Sequence, residues 1–250
     1  MLVVLIALAA LIAINLVRGD LGGLVGLIGL GRSGTWVATL VLFAALLGLA
    51  GIALKKRWDG IFIDERNKIS LSRVQLVLWT LLLVSTLFTT GLSNVALGAT
   101  NPLEIAVPAS VWALLGIGSF TFVASPAILM TKQNADAPKR LASISANLTA
   151  ADGLTSPVES RGEVVTKGSS KDARWLDIVR GDTNDADYVD AGKVQQLAFT
   201  LLLLVVYGTA IFNLLIPIAE IHAFPAVDGG FVALLGLSHA AYLAYKAVPK

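Results

Sequence analysis

The chain has 250 residues, 56% of them hydrophobic and 14% charged, and its mean hydropathy is +0.76. A soluble domain carries roughly a quarter charged residues and cannot hide this much apolar surface, so lipid is the solvent for most of the chain. A formal charge of +2 excludes a strongly basic nucleic-acid binder, and the lack of cysteine excludes disulfides, thiolate nucleophiles and cysteine metal sites.

Crossing the hydrocarbon layer takes about 20 predominantly apolar residues in a helix. Charge-poor stretches supply six such segments: 1–17, 35–54, 74–95, 109–130, 194–216 and 231–248. The first lacks a basic n-region and reads as a retained anchor rather than a signal peptide. Between the first two lies a glycine-rich run, 21–31, read as an apolar interfacial turn with a re-entrant segment as the sharper alternative. Lys246, in the last turn of the sixth segment, is expected to snorkel to the interface.

Lysine and arginine set the orientation. They crowd into 55–73 and 132–193, whereas the linkers near 98–108 and 217–230 have none. Both termini and the 132–193 region are therefore expected in the cytoplasm. The expected fold class is all-α, an integral membrane helical bundle of six spans in a bacterial cytoplasmic membrane.

The chain also carries an internal match. Arg73-Val74-Gln75, followed by Trp79-Thr80-Leu81, reappears as Lys193-Val194-Gln195, followed by Phe199-Thr200-Leu201, at an offset of 120. Ala113-Leu114-Leu115-Gly116 matches Ala233-Leu234-Leu235-Gly236 at the same offset. Two blocks sharing one offset imply a duplicated helix pair, the copies related by a pseudo-two-fold axis along the membrane normal. The expected organisation is an N-terminal hairpin (1–57), a first repeat unit (58–131), a flexible loop poor in core-forming residues (132–172) and a second unit (173–250).

Candidate site residues are few. Gln75, Thr80, Gln195 and Thr200 are expected either to hydrogen-bond between helices or to line a shared vestibule. Gly116, Gly118, Gly236 and Ser238 are small residues expected to let helices approach closely. Trp58 and Trp175, with Arg73 and Lys193, are expected as interfacial anchors at the headgroups. Around Trp175, the charged residues Arg174, Asp177 and Arg180 are expected to face water. His239 is the one histidine inside a predicted span; a structural role is expected, with axial ligation of a haem or chlorophyll metal as the sharper reading. No cofactor is otherwise indicated. Mid-span acids or bases and nucleotide or zinc motifs are missing, which points away from proton pumps and enzymes.

Over residues 58–248 the chain resembles a group of uncharacterised bacterial multi-pass membrane proteins. The resemblance is carried by Asp64-Glu65-Arg66-Asn67-Lys68 running into Thr80, by Trp175-Leu176-Asp177 with Arg180-Gly181, and by Ala233-Leu234-Leu235-Gly236 running into Leu243. It implies the helical membrane fold and transfers no catalytic residue. The expected function is that of a non-enzymatic scaffold, anchor or accessory subunit. Its partners would be the lipid bilayer and other membrane-protein subunits or further copies of itself, and not nucleic acid. A transporter or channel built on the repeat, or a cofactor-bearing subunit, are the alternatives.

Overall fold

The computed structural model describes residues 31–248. The first predicted span and almost all of the glycine-rich run lie outside them. Among the described residues there are six α-helices: α1 (Arg32–Lys55), α2 (Leu71–Ala96), α3 (Ala109–Thr131), α4 (Leu141–Asp152), α5 (Ala191–Leu214) and α6 (Gly229–Ala247). One antiparallel hairpin joins β1 (Val158–Arg161) to β2 (Val164–Lys167). Four helices, α1, α2, α3 and α5, are long and apolar enough to cross a membrane.

Local chemistry fixes the helix ends. Asp190 accepts from the Lys193 amide at 3.2 Å and caps α5. Asp228 accepts from the Gly230 amide at 2.8 Å and caps α6. Each carboxylate satisfies a first-turn N–H that the helix leaves without a partner. Helix α1 ends where Lys56 turns left-handed (φ 58°). The chain then folds back so tightly that a side-chain carbon at Gly51 would meet the Trp58 carbonyl oxygen at 2.9 Å, and one at Gly60 the Gly51 carbonyl oxygen at 2.6 Å. Only glycine fits both positions.

Helices α2, α3, α6 and α5 close a four-helix ring, each packed on the next, and α1 lies outside against α2. Trp79, Leu82, Leu83, Val111, Leu114, Leu203, Tyr207, Ile211 and Leu235 fill the interior, and Trp36 of α1 joins them. At one end, called distal here, the two linkers meet: Ala106 and Ala223 form a parallel bridge, and the Asn94 side chain bonds both backbone groups of Ile221 at 2.9 Å.

The opposite end carries a folded cap made from residues 56–70 and 132–190. This corrects the expectation of a flexible, coreless loop at 132–172. Ile144 and Leu148 of α4 pack on Val158, Val165 and Ala186. So small a core would not hold by itself, and buried polar groups staple it. Asp172 accepts from the Thr155 and Ser156 amides at 2.9 and 3.0 Å. Asp152 receives Arg180, and Asp177 receives Lys167 at 2.8 Å. Asp177 and Arg180 are thus buried, not turned to water as expected. Gly162 (φ +56°) lets the hairpin turn press on the Lys132 carbonyl, where a side chain would clash.

Candidate functional site

The helix ring holds a polar centre to which all four helices contribute. Gln75 of α2 donates to Thr200 Oγ1 of α5 at 2.7 Å. Gln196 of α5 donates through its amide to Gln75 Oε1 at 3.3 Å and reaches His239 Nδ1 of α6 at 3.0 Å. Thr121 of α3 lies 2.6 Å from the same nitrogen. Thr200 returns a bond to the Gln196 carbonyl at 2.9 Å. With the Gln196 amide as donor, Nδ1 accepts and the ring proton sits on Nε2, which has no partner among the described residues.

One turn toward the cap, the polar column continues. Lys246 Nζ bonds Ser125 Oγ at 2.6 Å, the Tyr242 hydroxyl at 2.9 Å and Asp182 at 2.7 Å. Lys193 Nζ bonds Asp182 at 3.0 Å and the Arg180 carbonyl at 2.5 Å. Arg66, itself paired with Asp64, bonds Asp182 at 2.5 Å. Lys68 Nζ donates to the Gly181 carbonyl at 2.8 Å, and the side chain is 1% exposed. One carboxylate therefore ties both cap segments to α5 and α6. Burial by itself would raise the Asp182 pKa, but Arg66, Lys193, Lys246 and Lys68 outweigh it and hold the carboxyl well below its usual range. Burial pushes Lys68 down to about 8, with Asp182 opposing and Arg66 reinforcing the shift.

Several expectations are corrected by this arrangement. Gln75 and Thr200 do meet across helices, but Thr80 and Gln195 are exposed on the outside of the ring. Gln196, not Gln195, takes the inner position. Gln195 and Ser238 instead line a cleft of about 340 Å³ between α5 and α6, with Asp190, Gly192 and Tyr242. Lys193 and Lys246 are buried in ion pairs and do not reach for headgroups. Arg73 donates to the Ile63 carbonyl at 3.0 Å. Among the described residues nothing lies within 4 Å of a side-chain carbon built at Gly116 or Gly118, and only Ile117 approaches one at Gly236, at 3.5 Å.

Trp58 (61% exposed) and Trp175 (40%) stack with ring centroids 5.9 Å apart, and Phe62 lies 5.5 Å from Trp175. The two aromatic elements thus form one exposed patch beside the end of α1. Among the described residues no group of His, Asp and Glu side chains could hold a metal ion.

Residue-by-residue reading of the sequence missed Thr121, Ser125, Gln196, Tyr242, Arg66, Lys68 and Asp182. A signal existed for some of them. Lys193, Gln196 and Thr200 share the spacing i, i+3, i+7 with His239, Tyr242 and Lys246, which is one face of a helix. Asp182 carried no such signal, because its role comes from contacts over 116 residues of sequence. Compared with protein-family models, curated proteins and solved structures, the chain gives no match in any of the three.

Proposed function

We propose that the protein is an integral membrane scaffold: a helix ring that holds a rigid cap at the cytoplasmic face of a bacterial inner membrane for other subunits or further copies to bind. The carrying observation is the Asp182 cluster. It joins residues 66 and 68 of one cap segment and 181–182 of the other to Lys193 and Lys246 of two ring helices. A joint of buried ion pairs suits a platform that must not move relative to its anchor. A conduit would need a path through the ring, and the ring interior is packed with Trp79, Leu114, Leu203, Tyr207 and Leu235. The reading as a cofactor-bearing subunit is less favoured, because with Nδ1 of His239 accepting from Gln196 its Nε2 carries the proton and offers no lone pair to a metal.

Orientation rests on the lysine and arginine bias, which puts the cap in the cytoplasm. The stacked Trp58–Trp175 pair supports the same depth, since tryptophan favours the headgroup region. Six spans are proposed, with α6 and the segment before residue 31 added to the four apolar helices. The duplication is proposed as well. In support, each unit runs in the same order. A 3-10 turn near a tryptophan (Gly60–Phe62 or Trp175–Val179) leads to a loop closed by an antiparallel bridge (Ile63 with Ile69, or Arg180 with Val189). A helix starts two residues later, at Leu71 or Ala191. The different surroundings of Gln75 and Gln195 then count as divergence between copies.

The deciding experiment is reconstitution of the purified protein in liposomes beside native mass spectrometry of the gently solubilised protein. A scaffold shows bound subunits or a defined copy number and no solute flux. Reproducible flux that Gln75→Leu or Gln196→Leu abolishes without loss of assembly would replace this reading with a conduit, and a bound tetrapyrrole mass would replace it with a cofactor carrier.

A further inference from the structure

Arginine uses one edge for two-point recognition: the Nε and Nη2 hydrogens point the same way and match two oxygens of a carboxylate or phosphate. Arg57 and Arg66 each turn this edge to a carboxylate. Arg57 offers Nε and Nη2 to the two oxygens of Asp59 at 2.8 and 2.7 Å, and Arg66 brings the same pair to one oxygen of Asp64, Oδ2, at 2.8 and 2.6 Å. Arg32, at the distal end, is the contrast. It is 5% exposed. Its Nη1 donates to the carbonyls of Pro217 and Ala219 at 2.7 and 2.8 Å. Its Nε and Nη2, the carboxylate-matching edge, are buried without a partner among the described residues. Glu220, beside Ala219, is exposed and faces His222 at 3.6 Å. A buried guanidinium needs a counter-charge, because removing it from water without one is costly.

One hydroxyl of α2 stands level with Arg32 and a second lies one turn beyond it. Trp36 of α1 donates to Ser85 of α2 at 3.0 Å. The helices run antiparallel, so one turn from that contact brings Arg32 level with Thr89, and Ser93 is one turn further along the same face of α2. Segment 217–221 ties the two sides together, bonding Arg32 through Pro217 and Ala219 and Asn94 through Ile221. Ser85 and Thr86 return their hydroxyls to the Leu82 carbonyl, as helix serines and threonines usually do. Thr89 and Ser93 do not: both hydroxyls are buried without a partner among the described residues. The positive end of α1 begins at the same residue.

We propose that the Nε–Nη2 edge of Arg32, with the hydroxyls of Thr89 and Ser93, is an oxyanion site at the distal end of the ring that takes a phosphate group. Two N–H donors in a fork, two hydroxyls and one uncompensated positive charge recognise a singly or doubly charged tetrahedral oxyanion. A free phosphate and a phospholipid headgroup present the same chemistry.

The test uses the full chain in a phosphate-free maltoside detergent. It is titrated with inorganic phosphate, with phosphatidylglycerol, and with a galactosyl diacylglycerol that has no phosphate. Thermal midpoint and native mass are read. The expected result is a raised midpoint and an added mass with a phosphate-bearing probe and neither with the galactolipid. A response to inorganic phosphate assigns a free anion, and a response to phosphatidylglycerol alone assigns a lipid headgroup. Arg32→Gln abolishes the response. Arg32→Lys, which keeps the charge and a donor for the Pro217 and Ala219 carbonyls, folds but binds about tenfold more weakly, the loss of one charge-assisted bond. Thr89→Val with Ser93→Ala weakens binding without lowering the ligand-free midpoint, since neither hydroxyl has a partner to lose. The proposal is overturned if no phosphate probe shifts the midpoint, or if Arg32→Lys responds as the wild type does. It is equally overturned if Asp20→Asn lowers the ligand-free midpoint as far as Arg32→Gln while neither phosphate probe binds, which would make Asp20 the counter-charge.

Discussion

At the scale of single residues, Asp182 carries the most weight. Asp182→Asn leaves Arg66, Lys193 and Lys246 facing a neutral amide. Removing one partner of a buried ion pair costs about 3–5 kcal/mol, so the variant should unfold at markedly lower denaturant, read by chemical unfolding in detergent. The carboxyl titrates well below 3.8 in the folded chain. Its contribution should therefore persist above pH 3.8 and fade only as the pH falls below that. Lys68 behaves in the opposite sense. Its folded pKa is about 8 against 10.5 in an open chain. Between those values the unfolded chain binds more protons, so stability rises with pH across the window. Wild type should gain stability relative to Lys68→Met between about pH 8 and 10.5, and a pH-independent difference would show that Lys68 does not titrate there.

At the scale of elements, residues 132–172 are the test of what a short polar segment can build. The α4–hairpin unit has only a handful of buried apolar side chains, so each matters. Leu148→Ala, which opens a cavity under α4, should cost about 2–5 kcal/mol. Gly162→Ala should also destabilise, by more than about 1 kcal/mol, because the new side chain meets the Lys132 carbonyl at a backbone angle that disfavours it. Protease cleavage between 141 and 167 under native conditions reports both. Wild type should resist, and rapid cutting of the unsubstituted chain would contradict a folded cap. In the polar centre, His239→Leu leaves the Gln196 amide without its acceptor on the ring, while the Thr121 hydroxyl keeps the Ile117 carbonyl. A loss of about 1–3 kcal/mol is expected, less than for Asp182→Asn because no charge is stranded.

For the whole molecule, the orientation can be checked directly because the chain has no cysteine. A cysteine placed at exposed Glu159 in the cap should resist an impermeant thiol reagent in intact cells, and one at exposed Thr100 in the distal linker should react. The reverse pattern would invert the molecule and put the Arg32 site in the cytoplasm. The shape that emerges is a ring of helices with unlike ends. One end is a cap bonded through charges, and the other is a pair of linkers bonded through backbone and Asn94.

The sequence by itself determined the apolar helices. Apolar length and the absence of charge are local properties, and they located α1, α2, α3, α5 and α6 to within a few residues. It also marked Gln75, Thr200 and His239, because a polar side chain in an apolar stretch needs an answer wherever it lies. Which residue answers is not local. Gln195 and Gln196 are neighbours in sequence and differ by about 100° around a helix, so the position of α5 in the ring decided that Gln196 faces inward and Gln195 faces the cleft. Lys193 and Lys246 looked like interfacial cations because each sits at a helix end. Only folding brought Asp182 to them from a loop. The cap was missed for the same reason. Composition counts apolar residues, and the cap is held largely by Asp152, Asp172 and Asp177, whose partners become partners only once the chain has turned back on itself.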